Sequence, residues 1–494
     1  LNKGKLEVSG NLRQEAGTIS VNGGKLEVGG DYRIQKYDAK KDSYDESDGT
    51  LKVSGENAEV MVGGDFYTQS VRPDTSVGYS SDNSFGGGTM TLKGNFTQLK
   101  GNATNFQGRG MKVIFAGEGT QEISFETPES SYFNYPVFQN QDVRIKSGIG
   151  GWNLNEDFTV KDEGYPLEII GGMNLNGNTL TVERSVVTWG RSDNTSSNFN
   201  KGTLKIKGDL TEKSGTGITM DLNKGKLEVS GNLRQEAGTI SVNGGKLEVG
   251  GDYRIQKYDA KKDSYDESDG TLKVSGENAE VMVGGDFYTQ SVRPDTSVGY
   301  SSDNSFGGGT MTLKGNFTQL KGNATNFQGR GMKVIFAGEG TQEISFETPE
   351  SSYFNYPVFQ NQDVRIKSGI GGWNLNEDFT VKDEGYPLEI IGGMNLNGNT
   401  LTVERSVVTW GTMDLNKGKL EVSGNLRQEA GTISVNGGKL EVGGDYRIQK
   451  YDAKKDSYDE SDGTLKVSGE NAEVMVGGDF YTQSVRPDTS VGYS

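Results

Sequence analysis

The sequence predicts an all-β chain wound as a β-solenoid. Three observations predict it: a long internal repeat without a single change, short alternating strands along the whole length, and a glycine-centred corner that recurs in step with them. Residues 1–190 return as 222–411, and residues 1–80 return again as 415–494. The offsets are 221 and 193, because the segment 191–218, "RSDNTSSNFNKGTLKIKGDLTEKSGTGI", has no counterpart between Gly411 and Thr412. A globular domain rarely survives the loss of such a segment, whereas a stack of equivalent layers can lose one layer and close up. The register agrees: Leu180, Leu204 and Leu227 follow at 24 and 23, while Leu401 is followed by Leu420 at 19. The repeats divide the chain into units 1–221 and 222–414, the second lacking a counterpart of 191–218, and a partial unit 415–494.

Within each unit, stretches such as "KLEV" (5–8 and 25–28), "TISV" (18–21), "TLKV" (50–53), "EVMV" (59–62), "TMTL" (89–92) and "TLTV" (179–182) place apolar residues on one face and polar residues on the other. They read as half-buried strands. No comparable stretch carries apolar residues at helical spacing, so very little helix is expected.

The corner is a glycine, then Asn or Asp, then a large apolar residue. It recurs at Gly10-Asn11-Leu12, Gly30-Asp31-Tyr32, Gly64-Asp65-Phe66, Gly94-Asn95-Phe96 and Gly208-Asp209-Leu210. Glycine reaches backbone conformations that other residues avoid, and Asn or Asp tolerates tight bends while bonding nearby backbone. Asn11, Asp31, Asp65 and Asn95 are therefore expected to stack as a ladder, each bonding the next coil. The spacing of the corners is 20, then 34, then 30, and the excess is polar: "KYDAKKDSYDESD" (36–48) and "SVRPDTSVGYSSDNSFGG" (70–87). Read as loop insertions at a coil edge, they leave roughly 20 to 25 core residues per coil and about nine coils per 221-residue unit.

Composition excludes much chemistry. The chain has 494 residues, no Cys and no His, 74 glycines and a formal charge of −17. That leaves no thiol nucleophile, no disulfide, no Ser-His-Asp triad and no ordinary zinc site. A metal would need oxygen ligands, which favours calcium or magnesium. The acidic balance argues against nucleic acid, whose binding rests on Lys and Arg neutralising phosphates. With no run of eighteen or more apolar residues, no membrane-spanning helix is expected. A hydrophobic fraction of 32% beside 24% charge could suggest disorder, but the periodicity speaks against it.

In "GKLEVSGNLRQEAGTISVNGGKLEVGGDY" (4–32), "GTLKVSG" (49–55) and "GTMTLKGNF" (88–96) the chain resembles the β-helical repeat regions of large secreted bacterial surface proteins, of the filamentous-haemagglutinin or adhesin kind. The resemblance implies an extracellular, elongated, non-catalytic protein used in adhesion, surface coating or fibre formation. It carries over no binding residue.

Candidate sites are few. Asp42, Asp45, Glu46 and Asp48 supply enough oxygen for calcium, with Asp42, Asp45 and Asp48 as the ligands, but lack the spacing of a calcium loop. The simpler reading is a solvated acidic loop partnered by Lys40 and Lys41. Tyr132, Phe133, Tyr135 and Phe138 could stack on sugars, although an apolar patch or capping layer over the coil is preferred. Trp152 and Trp189 are read as packed. Asn95 and Asn102 head N-x-T sequons. The leading functional expectation is a structural fibre or surface filament associating with itself end to end or laterally. An adhesin stalk with a binding surface, for partners such as cell-surface glycans, is the alternative. A polysaccharide-active enzyme comes last, since tandem duplication preserves length rather than a unique cleft.

Overall fold

A computed structural model describes residues 1–494 except 74, 76–86, 129, 134, 141, 147–148, 155, 162–165, 191–195, 216, 294–307, 349–350, 355, 362, 367–372, 376–377, 383–386, 391–392, 487–489 and 492–494. It falls into two compact units, residues 1–233 with 237–239 and residues 234–236 with 240–494. Among the described residues there are strands, turns and bends but no helix.

The strands form where the sequence alternates. In Lys25–Val28, Leu26 and Val28 are buried while Lys25 and Glu27 face outward. Thr89–Leu92 and Thr179–Val182 repeat the pattern. In the first unit Lys5–Val8, Lys25–Val28, Glu59–Val62, Thr89–Leu92, Lys112–Phe115 and Tyr135–Phe138 pair in succession, every pair parallel. Leu12–Arg13, Tyr32–Ile34, Phe66–Thr68, Phe96–Gln98, Gln121–Phe125 and Val143–Ile145 form a second parallel sheet. A third side is present where Ala16–Asn22 pairs with Asp48–Ser54. In the second unit, from Trp373 onward, the chain visits three parallel sheets in rotation: Trp373–Asn374, Phe379–Val381, Leu388–Ile390, then back to Met394–Asn395 beside the first. Parallel neighbours one circuit apart bury Leu, Val, Ile and Phe inside, as buried parallel sheets require.

Within the segment 191–218, Thr203–Ile206 and Leu210–Lys213 each add a strand to a parallel sheet. In the first unit Thr179–Val182 pairs with Thr203–Ile206, which pairs with Lys226–Val229. In the second, where the segment is missing, Thr400–Val403 pairs directly with Lys419–Val422 in the same register. Val407–Thr409 likewise joins Leu426–Gln428, where in the first unit Val186–Trp189 meets Leu210–Lys213 of the segment.

The corners are held by a ladder of side chains. The backbone N–H of Asp31 donates to Asn11 Oδ1 at 2.8 Å, that of Asp65 to Asp31 Oδ1 at 3.0 Å, and that of Asn95 to Asp65 Oδ1 at 2.8 Å. The ladder continues from Asn95 Oδ1 to the N–H of Glu122 at 2.8 Å. Where the column passes Ser185, the hydroxyl takes the N–H of Asp209 at 3.0 Å, and Ser406 takes that of Asn425 at 3.0 Å in the shortened copy. The remaining carboxylate oxygens are also used: Asp31 Oδ2 accepts from Arg33 and Asp65 Oδ2 from the Tyr67 hydroxyl. Replacing Asp65 by Leu strands the Asn95 N–H and the Tyr67 hydroxyl, and is expected to cost about 1 to 3 kcal/mol. Urea titration of the variant against the parent measures it, and superimposable curves would refute the ladder's contribution.

The corner glycines Gly64 and Gly94 have a different role from the one their conformational freedom suggests. Gly64 and Gly94 do not lie in the left-handed region, but a Cβ on Gly64 would stand 2.5 Å from Asp31 Oδ1, and one on Gly94 2.6 Å from Asp65 Oδ1. The glycine leaves room for the side chain of the coil beneath. Left-handed backbone is used at another turn, where Asn176 and Gly177 have φ of 51° and 82° and Asn178 N–H closes onto Leu175 O at 2.9 Å.

Candidate functional site

The insertion 36–48 is solvent-exposed with Lys41 pairing its carboxylates, and within it residues 36–45 fold as a hairpin. Lys36–Asp38 pairs antiparallel with Ser43–Asp45, setting Tyr37 opposite Tyr44. The sequence favours this locally. Asp38 Oδ1 accepts the Lys40 N–H at 2.9 Å to start the turn, and Asp42 takes the left-handed position with φ 50°. The Lys40 N–H, ahead of Lys41, holds the Asp38 carboxyl below its usual range. Lys41 Nζ lies between Asp45 Oδ2 at 3.0 Å and Asp38 Oδ2 at 3.3 Å.

Arginines from the sheet fix the hairpin to the body. The Arg33 guanidinium sits over the Tyr67 ring at 3.6 Å and the Tyr44 ring at 4.6 Å, and Arg13 lies 5.5 Å from Tyr37. Tyr37 and Tyr44 are 5.4 Å apart between centroids. The same stack recurs at Arg254 with Tyr288 and Tyr265, and at Arg447 with Tyr481 and Tyr458. Each contact of this kind contributes about 0.5 to 2 kcal/mol. The signal was in the sequence: Tyr37-Asp38 and Tyr44-Asp45 are matching halves around "AKKDS".

Beside the hairpin runs an open groove of about 820 Å³, lined among others by Lys36, Tyr37, Lys40, Glu46 and Gln69. Its counterpart at Lys257, Tyr258, Lys261, Glu267 and Gln290 has about 880 Å³. The groove is lined by ammonium, carboxylate, phenol and amide groups. With no His or Cys in the chain, it holds no imidazole base or thiol nucleophile.

The carboxylates considered for calcium are kept apart by separate partners. Asp42 Oδ1 accepts the Tyr37 hydroxyl at 2.6 Å, Asp45 pairs with Lys41 at 3.0 Å, and Asp48 pairs with Arg72 at 3.6 Å. Among the described residues no group of three His, Cys, Asp or Glu side chains is placed to hold a metal ion.

The aromatic cluster at 132–138 is interior. Phe133 and Phe138 are buried in the core, Phe133 with its ring 4.8 Å from Phe96 and 4.9 Å from Phe125, and Phe138 stacked at 4.0 Å on Phe158. The expectation of a surface patch or cap fails because Phe133 and Phe138 pack against rings from other strands of the core. Tyr132 is buried as well, while the side chains of Tyr135 and Trp152 lie outside the described residues. Trp189 is 37% exposed with Lys213 Nζ 4.9 Å from its ring, so it is not packed as expected. Of the sequon residues, Asn95 belongs to the ladder and Asn102 Oδ1 caps Thr104.

Sequence reasoning missed a buried carboxyl inside the segment 191–218, and no local pattern there signals it. Glu212 is fully buried, bonded to the Thr188 hydroxyl and, at 2.8 Å, to the Ser214 N–H. Burial pushes its carboxyl up, outweighing those bonds. Because the folded group holds its proton more tightly than the unfolded one, its contribution is present below the unfolded value of ~4.3 and is lost as pH rises through the folded value. Glu212→Gln is expected to remove this loss and to stabilise the fold at neutral pH by about 1 to 3 kcal/mol. Melting temperatures from pH 4 to 9 test it, and a parent whose difference from the variant stays constant with pH would contradict it.

Comparison with protein-family models, with characterised proteins and with solved structures finds no match for this chain.

Proposed function

We propose that the chain winds as a β-solenoid and forms the body of an extracellular bacterial fibre or surface filament, without turning over a substrate. The observation that carries this reading is the spliced layer. Lys419–Val422 takes the place of Thr203–Ile206 beside the preceding strand with no change of register. A catalytic cleft depends on unique residues at fixed places, whereas a rod of stacked layers depends on the register alone and tolerates a change of length. The likeness to secreted β-helical surface proteins and the acidic surface fit the same role. Identical units stacked with constant rotation and rise give an open fibre.

Electron microscopy and fibre diffraction of the native material test the reading. Extended rods with a ~4.8 Å strand repeat along the axis are expected, and excising residues 191–218 should leave a folded rod shorter by about one strand spacing. Compact particles, or an excision variant with an unfolded circular dichroism spectrum, would overturn it. A second reading, an adhesin stalk for polar ligands such as cell-surface glycans, is favoured by the groove beside the hairpin. Rods that carry hairpin-dependent glycan binding would support that one.

A further inference from the structure

Two tyrosines face each other across the strands of the hairpin, and they do so in all three copies. Tyr37 stands opposite Tyr44 in the antiparallel register, Tyr258 opposite Tyr265 and Tyr451 opposite Tyr458. The ring centroids are 5.4, 5.4 and 5.5 Å apart, with the planes inclined at 55°, 55° and 53°. Solvent reaches the second ring of each pair, since Tyr44, Tyr265 and Tyr458 are each 39% exposed. The first ring has a carboxylate on its hydroxyl: Tyr37 donates to Asp42 at 2.6 Å, Tyr258 to Asp263 at 2.6 Å and Tyr451 to Asp456 at 2.7 Å. A chain without cysteine has no disulfide with which to tie such a hairpin.

We propose that each pair is a site of oxidative cross-linking, at which a haem peroxidase using hydrogen peroxide joins the two rings as dityrosine. The reaction needs two phenols close together and a way for each to lose a proton with its electron. Asp42 lies within the hydrogen-bonding range of a proton acceptor. The same bond holds the Tyr37 hydroxyl above its usual range, so that phenol stays neutral until it is oxidised. Tyr44 yields its proton to water. Both radicals are therefore neutral, and the Arg33 guanidinium 4.6 Å from the Tyr44 ring favours electron density on that ring without opposing an uncharged radical. One bond then forms between ring carbons ortho to the two oxygens, and the hydrogens on those carbons move to the oxygens, restoring both phenols. The two electrons and two protons given up reduce one hydrogen peroxide to two waters.

Coupling is expected within the hairpin instead of between chains. Arg33 and Arg13 lie against the two rings, and a partner held in place reacts in preference to one that must arrive by diffusion. The new bond closes the turn 38–43 covalently and withdraws open conformations from the unfolded hairpin. This chemistry is local to the hairpin and does not depend on the filament reading.

Treating the full chain with a haem peroxidase and limiting hydrogen peroxide tests the proposal. The parent is expected to gain dityrosine fluorescence while running as a monomer in denaturing gels. Trypsin, cutting after Lys36, Lys40 and Lys41, should release the Tyr37 and Tyr44 peptides joined, two hydrogens lighter than their sum. Tyr44→Phe made with Tyr265→Phe and Tyr458→Phe should abolish both signals. A chain carrying Tyr258→Phe, Tyr265→Phe, Tyr451→Phe and Tyr458→Phe keeps only the first pair and should still yield the joined peptide, which places the bond inside one hairpin. Asp42→Asn with Asp263→Asn and Asp456→Asn should slow the coupling several-fold, and an unchanged rate overturns the part given to Asp42. No dityrosine, dityrosine found only between chains, or a signal that survives the Tyr44, Tyr265 and Tyr458 replacements overturns the assignment.

Discussion

Replacing Gly64 by alanine is expected to lower stability by about 2 to 4 kcal/mol, although alanine adds only one methyl group. The added Cβ would stand 2.5 Å from Asp31 Oδ1 and 2.7 Å from the carbonyl carbon of Gly30. Overpacking of this kind costs roughly 1 to 3 kcal/mol. Displacing Asp31 also weakens its bond to the part-buried Asp65 N–H, which costs about 1 kcal/mol more. Gly119 gives the control, since a Cβ there meets nothing within 4 Å and its φ lies outside the left-handed region. Gly119→Ala should change stability by less than about 0.5 kcal/mol. Guanidinium unfolding of Gly64→Ala, made together with Gly285→Ala so that both units respond, decides the matter. A variant that unfolds with its Gly119→Ala counterpart would show that the corner has room to spare.

This glycine marks how far the sequence could be read. Its recurrence beside Asn or Asp showed that a corner existed and that Asn11, Asp31, Asp65 and Asn95 occupied equivalent positions. The reason for the glycine lay in Asp31, because the neighbours that matter belong to the preceding circuit. Strands such as "KLEV" and "TLTV" were legible because alternation is a local signal. The interior placement of Phe133 and Phe138 was not, since the rings they pack against, Phe96, Phe125 and Phe158, sit on other strands. The hairpin at 36–45 left a local signal in its matching Tyr-Asp halves, but its charge reads as loop, and the Arg33 and Arg13 that lie against its two tyrosines come from other strands.

The splice shows the same division between what stacks and what must be matched. Register survives it without change, yet one polar contact does not. In the first unit the Thr188 hydroxyl is bonded to Glu212. In the second, where that layer is missing, Thr409 faces Gln428 in the register and its hydroxyl is buried without a partner among the described residues. Gln428 is committed elsewhere, its Oε1 accepting the Tyr446 hydroxyl at 2.7 Å and its Nε2 donating to Gly431 O and Thr464 O. Backbone pairing and aliphatic packing are generic between layers, whereas buried polar groups are specific to the layer they evolved beside.

Phe96→Ala is expected to cause the largest single loss, about 3 to 5 kcal/mol, and to confine it to its own neighbourhood. The magnitude follows from burial: Phe96 is fully buried, and removing a buried phenyl ring forfeits its transfer energy and leaves a cavity. Its ring meets Phe66 at 5.7 Å, Phe106 at 4.8 Å, Phe125 at 5.0 Å and Phe133 at 4.8 Å between centroids. Four rings from four segments lose one common neighbour, and all four are themselves buried in packed positions. The confinement follows from the proposed solenoid, in which each layer of a stack touches only the layers beside it. Hydrogen exchange should therefore accelerate in Phe66–Thr68, Phe96–Gln98 and Gln121–Phe125, while Thr179–Val182 and Thr203–Ile206 in the same unit keep the protection of the parent. Phe96→Leu, which fills part of the cavity, should show the same map with a smaller change. If exchange instead rises equally at Thr179–Val182, the unit unfolds as one cooperative body, and the independence of layers that makes length adjustable is lost with it.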